Sequence, residues 1–182
     1  LIGARNPKDA ELIILPLKPL FPDKRLYKQG VKTMTVEYER PFPNAKTLNM
    51  LVSYVSYSKA REAGCYDALC VHRDGSIAEG TRSNFFTVKD RTIYTPPNHM
   101  LLEGVTRTIV LRLAEKAGFT VQHELIPLAH IHEYDGAFLT STSAKVIPVQ
   151  SINDHMFGEI PETAKELIVL YNQFLKASKG IL

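Results

Sequence analysis

Three places in this 182-residue sequence carry side chains at spacings suited to chemistry. The first is Asn44-Ala45-Lys46-Thr47-Leu48-Asn49-Met50, where a lysine follows a Pro-broken extended stretch and opens a long helix. Such a lysine is either solvated at a helix start or desolvated; burial lowers an amine's pKa and lets it condense with a carbonyl. The second is residues 77–86, IAEGTRSNFF, which read as a turn between two strands with Glu79 at a sheet terminus. There the carboxylate is either a surface residue or a group able to hold a cationic ring nitrogen. The third is a pair of anion sites. Glu103-Gly104-Val105-Thr106 immediately precedes a helix: Gly104 permits close approach of the backbone, Thr106 can cap, and the exposed N–H groups with the helix dipole make an anion site. Thr140-Ser141-Thr142-Ser143 ends a buried strand with four hydroxyls, which need partners of their own: local caps, or a phosphate or carboxylate.

Composition bounds what these sites can serve. With 45% hydrophobic and 23% charged residues the chain is an ordinary globular protein, and no apolar run approaches the roughly 20 residues of a membrane span. The net charge of +3 is small and dispersed, which argues against nucleic acid as the partner. Two cysteines, Cys65 and Cys70, make no disulfide scaffold; they read as core residues of a protein in a reducing compartment, the cytoplasm.

The elements that must position the three sites follow from periodicity and turn residues. Strands are expected over 11–17, 31–39, 66–72, 84–88, 92–95, 120–126, 136–140 and 145–150. Helices are expected over 47–63, with Leu48, Leu51, Val52, Val55 and Ala60 as its apolar face, over 106–117, and over 161–176. A short helix is expected at 127–132. Asp74-Gly75 marks a hairpin turn, and Lys89-Asp90-Arg91 another. Nothing divides the chain, so 1–182 reads as one mixed α/β domain. Three further strings carry no chemistry. Ser56-Tyr57-Ser58-Lys59 lies mid-helix, and Cys65 and Cys70 lack redox spacing. His130 and His132, two apart in a helix, are expected on different faces and so not on one metal.

In this order the pieces resemble the class-IV aminotransferases, the fold-type IV pyridoxal-phosphate enzymes that include branched-chain aminotransferase, D-amino-acid aminotransferase and aminodeoxychorismate lyase. The family signature is matched by Glu79, Thr81, Asn84, Phe85 and Phe86, by Ile93-Tyr94-Thr95, and by Leu102-Glu103-Gly104-Val105-Thr106-Arg107. Lys46 stands 33 residues before Glu79, the family's spacing for its Schiff-base lysine. The resemblance spans roughly residues 31–152 and implies a mixed sheet or pseudo-barrel flanked by helices.

By that resemblance the chain transfers an amino group between an amino acid, branched-chain or D-, and a 2-keto acid, using pyridoxal 5'-phosphate. Lys46 is then the catalytic lysine, and Glu79 pairs with the pyridine nitrogen. Leu102 packs on the ring, while Val105, Thr106 and Thr142 cradle the phosphate. Ser141 and Ser143, with Thr142, lie near the substrate carboxylate. The resemblance also implies no metal and a homodimer, with lyase chemistry or a non-catalytic binding module as alternatives. Two departures bear on the substrate: no tyrosine shortly follows Lys46, and Ser83 stands where branched-chain members often have Glu. The family also carries a smaller N-terminal domain ahead of this region, so the chain is expected to be the C-terminal cofactor-binding domain of a longer two-domain enzyme.

Overall fold

Short apolar runs cut by turn residues pair into a single mixed sheet that bends until one end meets an inner strand. A computed structural model of the chain describes residues 14, 16 and 21–178. Along it run α1 (Leu26–Gln29), β1 (Val31–Glu37), α2 (Leu51–Glu62), β2 (Asp67–Val71), β3 (Ile77–Gly80), β4 (Asn84–Lys89) and β5 (Thr92–Thr95). Then come α3 (Val105–Lys116), β6 (Thr120–His123), β7 (Gly136–Ser141), β8 (Lys145–Ile152), β9 (His155–Met156) and α4 (Glu162–Ser178). The strand expected over 11–17 lies outside the described residues. The sheet order is β3-β2-β1-β8-β7-β4-β5-β6, and β3 also pairs with β4, so six strands close into a ring. That closure rests on one register pair, Glu79 opposite Asn84. The mixed, barrel-like sheet flanked by helices is the architecture the sequence implied.

Alternation along the strands gives the ring two packed faces. Phe85, Leu139 and Ile147 join Leu69, Ile77 and Ile126 in one cluster; their neighbours Phe86, Phe138 and Val146 join a second, against Val110 and Ala114 of α3 and Leu167 and Tyr171 of α4. Phe86 and Phe138, opposite each other in register, stack with centroids 4.6 Å apart. Such a pair adds about 1 kcal/mol beyond its buried area. The turn at Asp74-Gly75 forms as read, with Gly75 at φ 83° and Asp74 Oδ1 accepting the Ser76 amide.

Four local expectations fail. The helix expected over 47–63 starts only at Leu51, and its apolar stripe faces outward: Leu48 is 97% and Leu51 70% exposed, while Ser53, Ser56 and Ala60 are buried. The reason is packing distance. α2 lies close against the sheet beside β2, and small side chains allow that approach where leucines would hold it off. Cys65, expected in the core, is half-buried beside the α2 terminus; only Cys70, on β2, is buried. The short helix near 127–132 is a 3-10 turn, Leu128–Glu133, and there the rings of His130 and His132 lie side by side, 6.4 Å apart, rather than on different faces. No group of three metal-ligating side chains occurs among the described residues, and no helix among them is long and apolar enough to cross a membrane. Finally, of the four hydroxyls at 140–143 only Thr140 is buried, because β7 ends at Ser141 and the chain turns out into solvent.

Candidate active site

A cleft of about 410 Å³ opens where β3 meets β4. Its lining brings Lys46, Glu79, Leu102, Val105, Thr106, Ser141 and Thr142 together from four separate stretches of sequence. Ser143 is not in that lining; it is exposed in the turn after β7, its Oγ 3.5 Å from that of Ser141.

Glu79 is a charged group enclosed by the fold, buried like Asp67 and Arg107. It lies on β3, at the seam of the ring, with its side chain 5% exposed. One carboxylate oxygen accepts Arg40 Nε at 2.6 Å and the other accepts the Leu102 amide at 3.1 Å. Burial pushes the carboxyl above its ordinary range, and the Arg40 charge, the Leu102 N–H and nearby His72 oppose that push. Burial also works against the Arg40 charge, but Glu79 outweighs it and the net shift of the guanidinium is upward. Arg40 follows β1 and precedes the Pro41–Pro43 break, so the ion pair ties the segment carrying Lys46 to the seam.

The anion-binding end is built around α3. Gly104 is its N-cap, in extended conformation and without a side-chain cap, which leaves the first amides, those of Val105 and Thr106, uncovered at the positive end of the helix. Thr106, expected to cap, instead sits inside the first turn, buried. The N-cap position is one of close approach, where a Cβ would collide with Asn84 Oδ1. Asn84 in turn donates through Nδ2 to the Leu102 carbonyl at 2.7 Å, so Glu79 and Asn84 between them fix the loop that delivers Gly104. Thr140, opposite Asn84 in register, lines the cleft with a buried hydroxyl that has no partner in the protein.

Lys46 reaches the cleft from irregular chain and is exposed, not enclosed as the sharper sequence reading had it. The Asn44 amide, turned so that its nitrogen faces the carbonyls of Asn98 at 2.9 Å and Leu101 at 3.2 Å, anchors this segment to the α3 side.

Several functional groups escaped the sequence reading. Arg40 is one; its signal was a lone cation at a strand end directly before a proline break. Asp67 is another, an acid opening a strand that is buried along its whole length. Its carboxylate accepts Thr81 Oγ1 and, at 2.8 Å, Ser83 Oγ, pinning the β3–β4 turn from below. Arg107, buried in the first turn of α3, donates to Thr95 Oγ1, the Pro96 carbonyl and His123 Nδ1, each at 3.3 Å. A cation there opposes the helix dipole and favours an anion at the same helix end.

The donor set suits a phosphate-bearing pyridine cofactor. Uncovered amides and the orphaned Thr140 hydroxyl meet a phosphate's need for donors, and the enclosed Glu79 carboxylate meets that of a protonated ring nitrogen.

A closed mixed sheet flanked by helices, with a buried carboxylate at its seam and an uncovered helix N-terminus and a lysine on the same cleft, defines the class of this α/β protein. The chain belongs to the amino-transferase class IV family, whose model matches residues 3–152. It is 34% identical over 142 residues to the D-alanine aminotransferase of Bacillus licheniformis, covering 77% of this chain and 50% of that protein. It is 30% identical over 139 residues to the branched-chain-amino-acid aminotransferase of Escherichia coli (strain K12), covering 72% of this chain and 45% of that one. The crystal structure of the T.th. branched-chain amino acid aminotransferase with pyridoxamine 5'-phosphate superposes with a TM-score of 0.78 at 28% identity, covering 86% of this chain and 54% of that one. The chain thus spans about half the length of the curated relatives it matches.

Proposed function

We propose that this chain carries the cofactor-binding half of a pyridoxal-phosphate-dependent aminotransferase, which moves an amino group between an amino acid and a 2-keto acid. The observation that carries the reading is the convergence of Lys46, Glu79 and the α3 N-terminus on one cleft. When bound, the cofactor supplies an electron sink for charge developing at the substrate's α-carbon. Glu79, kept in place by Arg40 and the Leu102 amide, holds the ring nitrogen protonated. The amides of Val105 and Thr106, with the hydroxyls of Thr140 and Thr142, hold the phosphate. Leu102 packs against the ring. Lys46 would hold the cofactor covalently through Nζ, and its free amine would serve as the base that moves the substrate's α-proton. Its exposure suits that exchange, since the amine must meet each incoming substrate. Ser141 and Thr142, which line the cleft where β7 ends, receive the substrate's α-carboxylate.

The substrates in this reading are small amino and keto acids, and the setting is a cytoplasmic homodimer; these features come from the family. The test is to add pyridoxal 5'-phosphate and follow its visible absorption, then to supply amino acids of either chirality with a 2-keto acid. Uptake followed by keto-acid-dependent formation of a new amino acid is the expected result. Pyruvate release without an acceptor would assign the lyase reaction instead. Absence of uptake would leave only a binding module.

A further inference from the structure

Five charged residues line the cleft: Arg40, Lys46, Glu79, Arg82 and Glu103. Arg40 is neutralised by Glu79, and Lys46 is committed to the cofactor in the reading above. Arg82 is left over. Among the described residues no carboxylate lies within ion-pairing distance of it, and it is exposed at the tip of the β3–β4 turn. Its placement is built rather than accidental. Thr81 and Ser83, on either side, both turn their hydroxyls inward to the buried Asp67 carboxylate. The turn is further held by the Thr81 amide, which donates to the Ala68 carbonyl at 2.9 Å, and by the Gly80 amide, which donates to the Ser83 carbonyl at 2.7 Å. Gly80 is required for this closeness, because a Cβ there would meet Ser83 Oγ and Asp67 Oδ2. Arg82 is therefore an arginine on a rigid base.

The guanidinium itself is steadied by α2. Arg82 Cζ lies 3.8 Å from the centre of the Tyr57 ring. A guanidinium stacked on an aromatic face keeps its in-plane N–H donors free at the edge, and a planar fork of this kind matches a carboxylate with two parallel hydrogen bonds. We propose that Arg82 is a specificity-determining residue that takes a second carboxylate, on the side chain of the amino or keto acid, so that this cleft selects dicarboxylic substrates. The inference rests on the aminotransferase reading for the placement of the α-carboxylate at Ser141 and Thr142, which leaves Arg82 for the far end of the substrate. In that reading Arg82 is not among the groups that hold the phosphate.

The test titrates two probes of similar length, glutarate and butyrate, into the wild-type chain and the Arg82→Gln and Arg82→Lys variants by calorimetry, with and without pyridoxal 5'-phosphate. Wild-type protein is expected to bind glutarate about tenfold or more tightly than butyrate, the scale of one charge-assisted fork. Arg82→Gln abolishes that preference while leaving butyrate binding and cofactor affinity unchanged, and Arg82→Lys retains part of it. An equal preference in wild type and Arg82→Gln, or none in wild type, overturns the assignment. Equal losses for both probes in Arg82→Gln would also overturn it, since they would mark a structural role. If the chain takes up no cofactor, the aminotransferase reading fails, and the cofactor-free titrations still decide the role of Arg82.

Discussion

The two walls of the cleft are built on opposite terms. On one side Glu79, Asn84, Thr106 and Thr140 are buried residues of strands and a helix, locked by the ring and its two clusters. On the other side Lys46 sits in irregular chain between residues 41 and 50, and α2 follows directly with Leu51, Val52 and Val55 turned to solvent. The contrast teaches what each task asks of a fold. A group that holds a fixed charge or donor gains from burial, because low dielectric and preorganisation strengthen every polar contact it makes. A lysine that must exchange partners has to remain reachable.

The contrast breaks most readily at the point where the walls are tied together. Arg40→Met leaves the Glu79 carboxylate buried and unpaired, and a loss of about 3 kcal/mol in chemical denaturation is expected. A loss below about 1 kcal/mol would show that the seam is no more demanding than the open wall. Asn84→Ala comes next. It strips the Leu102 carbonyl of its 2.7 Å donor and loosens the loop that delivers Gly104; about 1–2 kcal/mol of stability and a weaker hold on phosphate should go with it. Competition by inorganic phosphate against the cofactor measures the second effect.

A smaller effect is expected in acid. Burial and the Arg107 charge hold the His123 pKa below its ordinary value. Below about pH 6.5 the unfolded chain therefore binds a proton that the folded chain resists, so this contribution rises with pH across the window and is lost as pH falls. His123→Asn should flatten the fall of Tm between about pH 7 and 5; an unchanged slope would show that His123 has no part in it. The smallest effects belong to the open wall. Lys46→Ala and Leu51→Ala should each shift stability by no more than about 0.5 kcal/mol, whereas Leu167→Ala, cut from the packed face of α4, costs about 2–4 kcal/mol. If Leu51→Ala cost as much as Leu167→Ala, the outward face of α2 would be wrong.

These two walls were not equally legible in the sequence. The seam was readable because its residues sit at points where pattern and chemistry coincide: a carboxylate directly before Gly80, an asparagine opening an apolar strand, and a glycine ahead of an amphipathic helix. Periodicity also placed β4, β7, β8 and the spans of α3 and α4. It misled at α2, where apolar spacing pointed to Leu51 and Val55 as the inner face. The distance to β2 is set instead by Ser53, Ser56 and Ala60, and small residues give no hydrophobic signal. Arg40 and Asp67 were missed for a related reason. Each acts through a partner far away in sequence, 39 residues for Arg40–Glu79 and 14 for Asp67–Thr81, and such pairings exist only once β1, β2 and β3 lie side by side.

The central claim is that Lys46, exposed on the open wall, is the residue that holds the cofactor covalently. It is tested most directly by incubating the protein with pyridoxal 5'-phosphate, reducing with borohydride, and mapping the added mass by peptide mass spectrometry. The predicted result is a single modified peptide containing Lys46, with the label lost in Lys46→Ala and diminished when excess inorganic phosphate competes for the α3 N-terminus. Label spread over surface lysines, or label that survives Lys46→Ala unchanged, would contradict it.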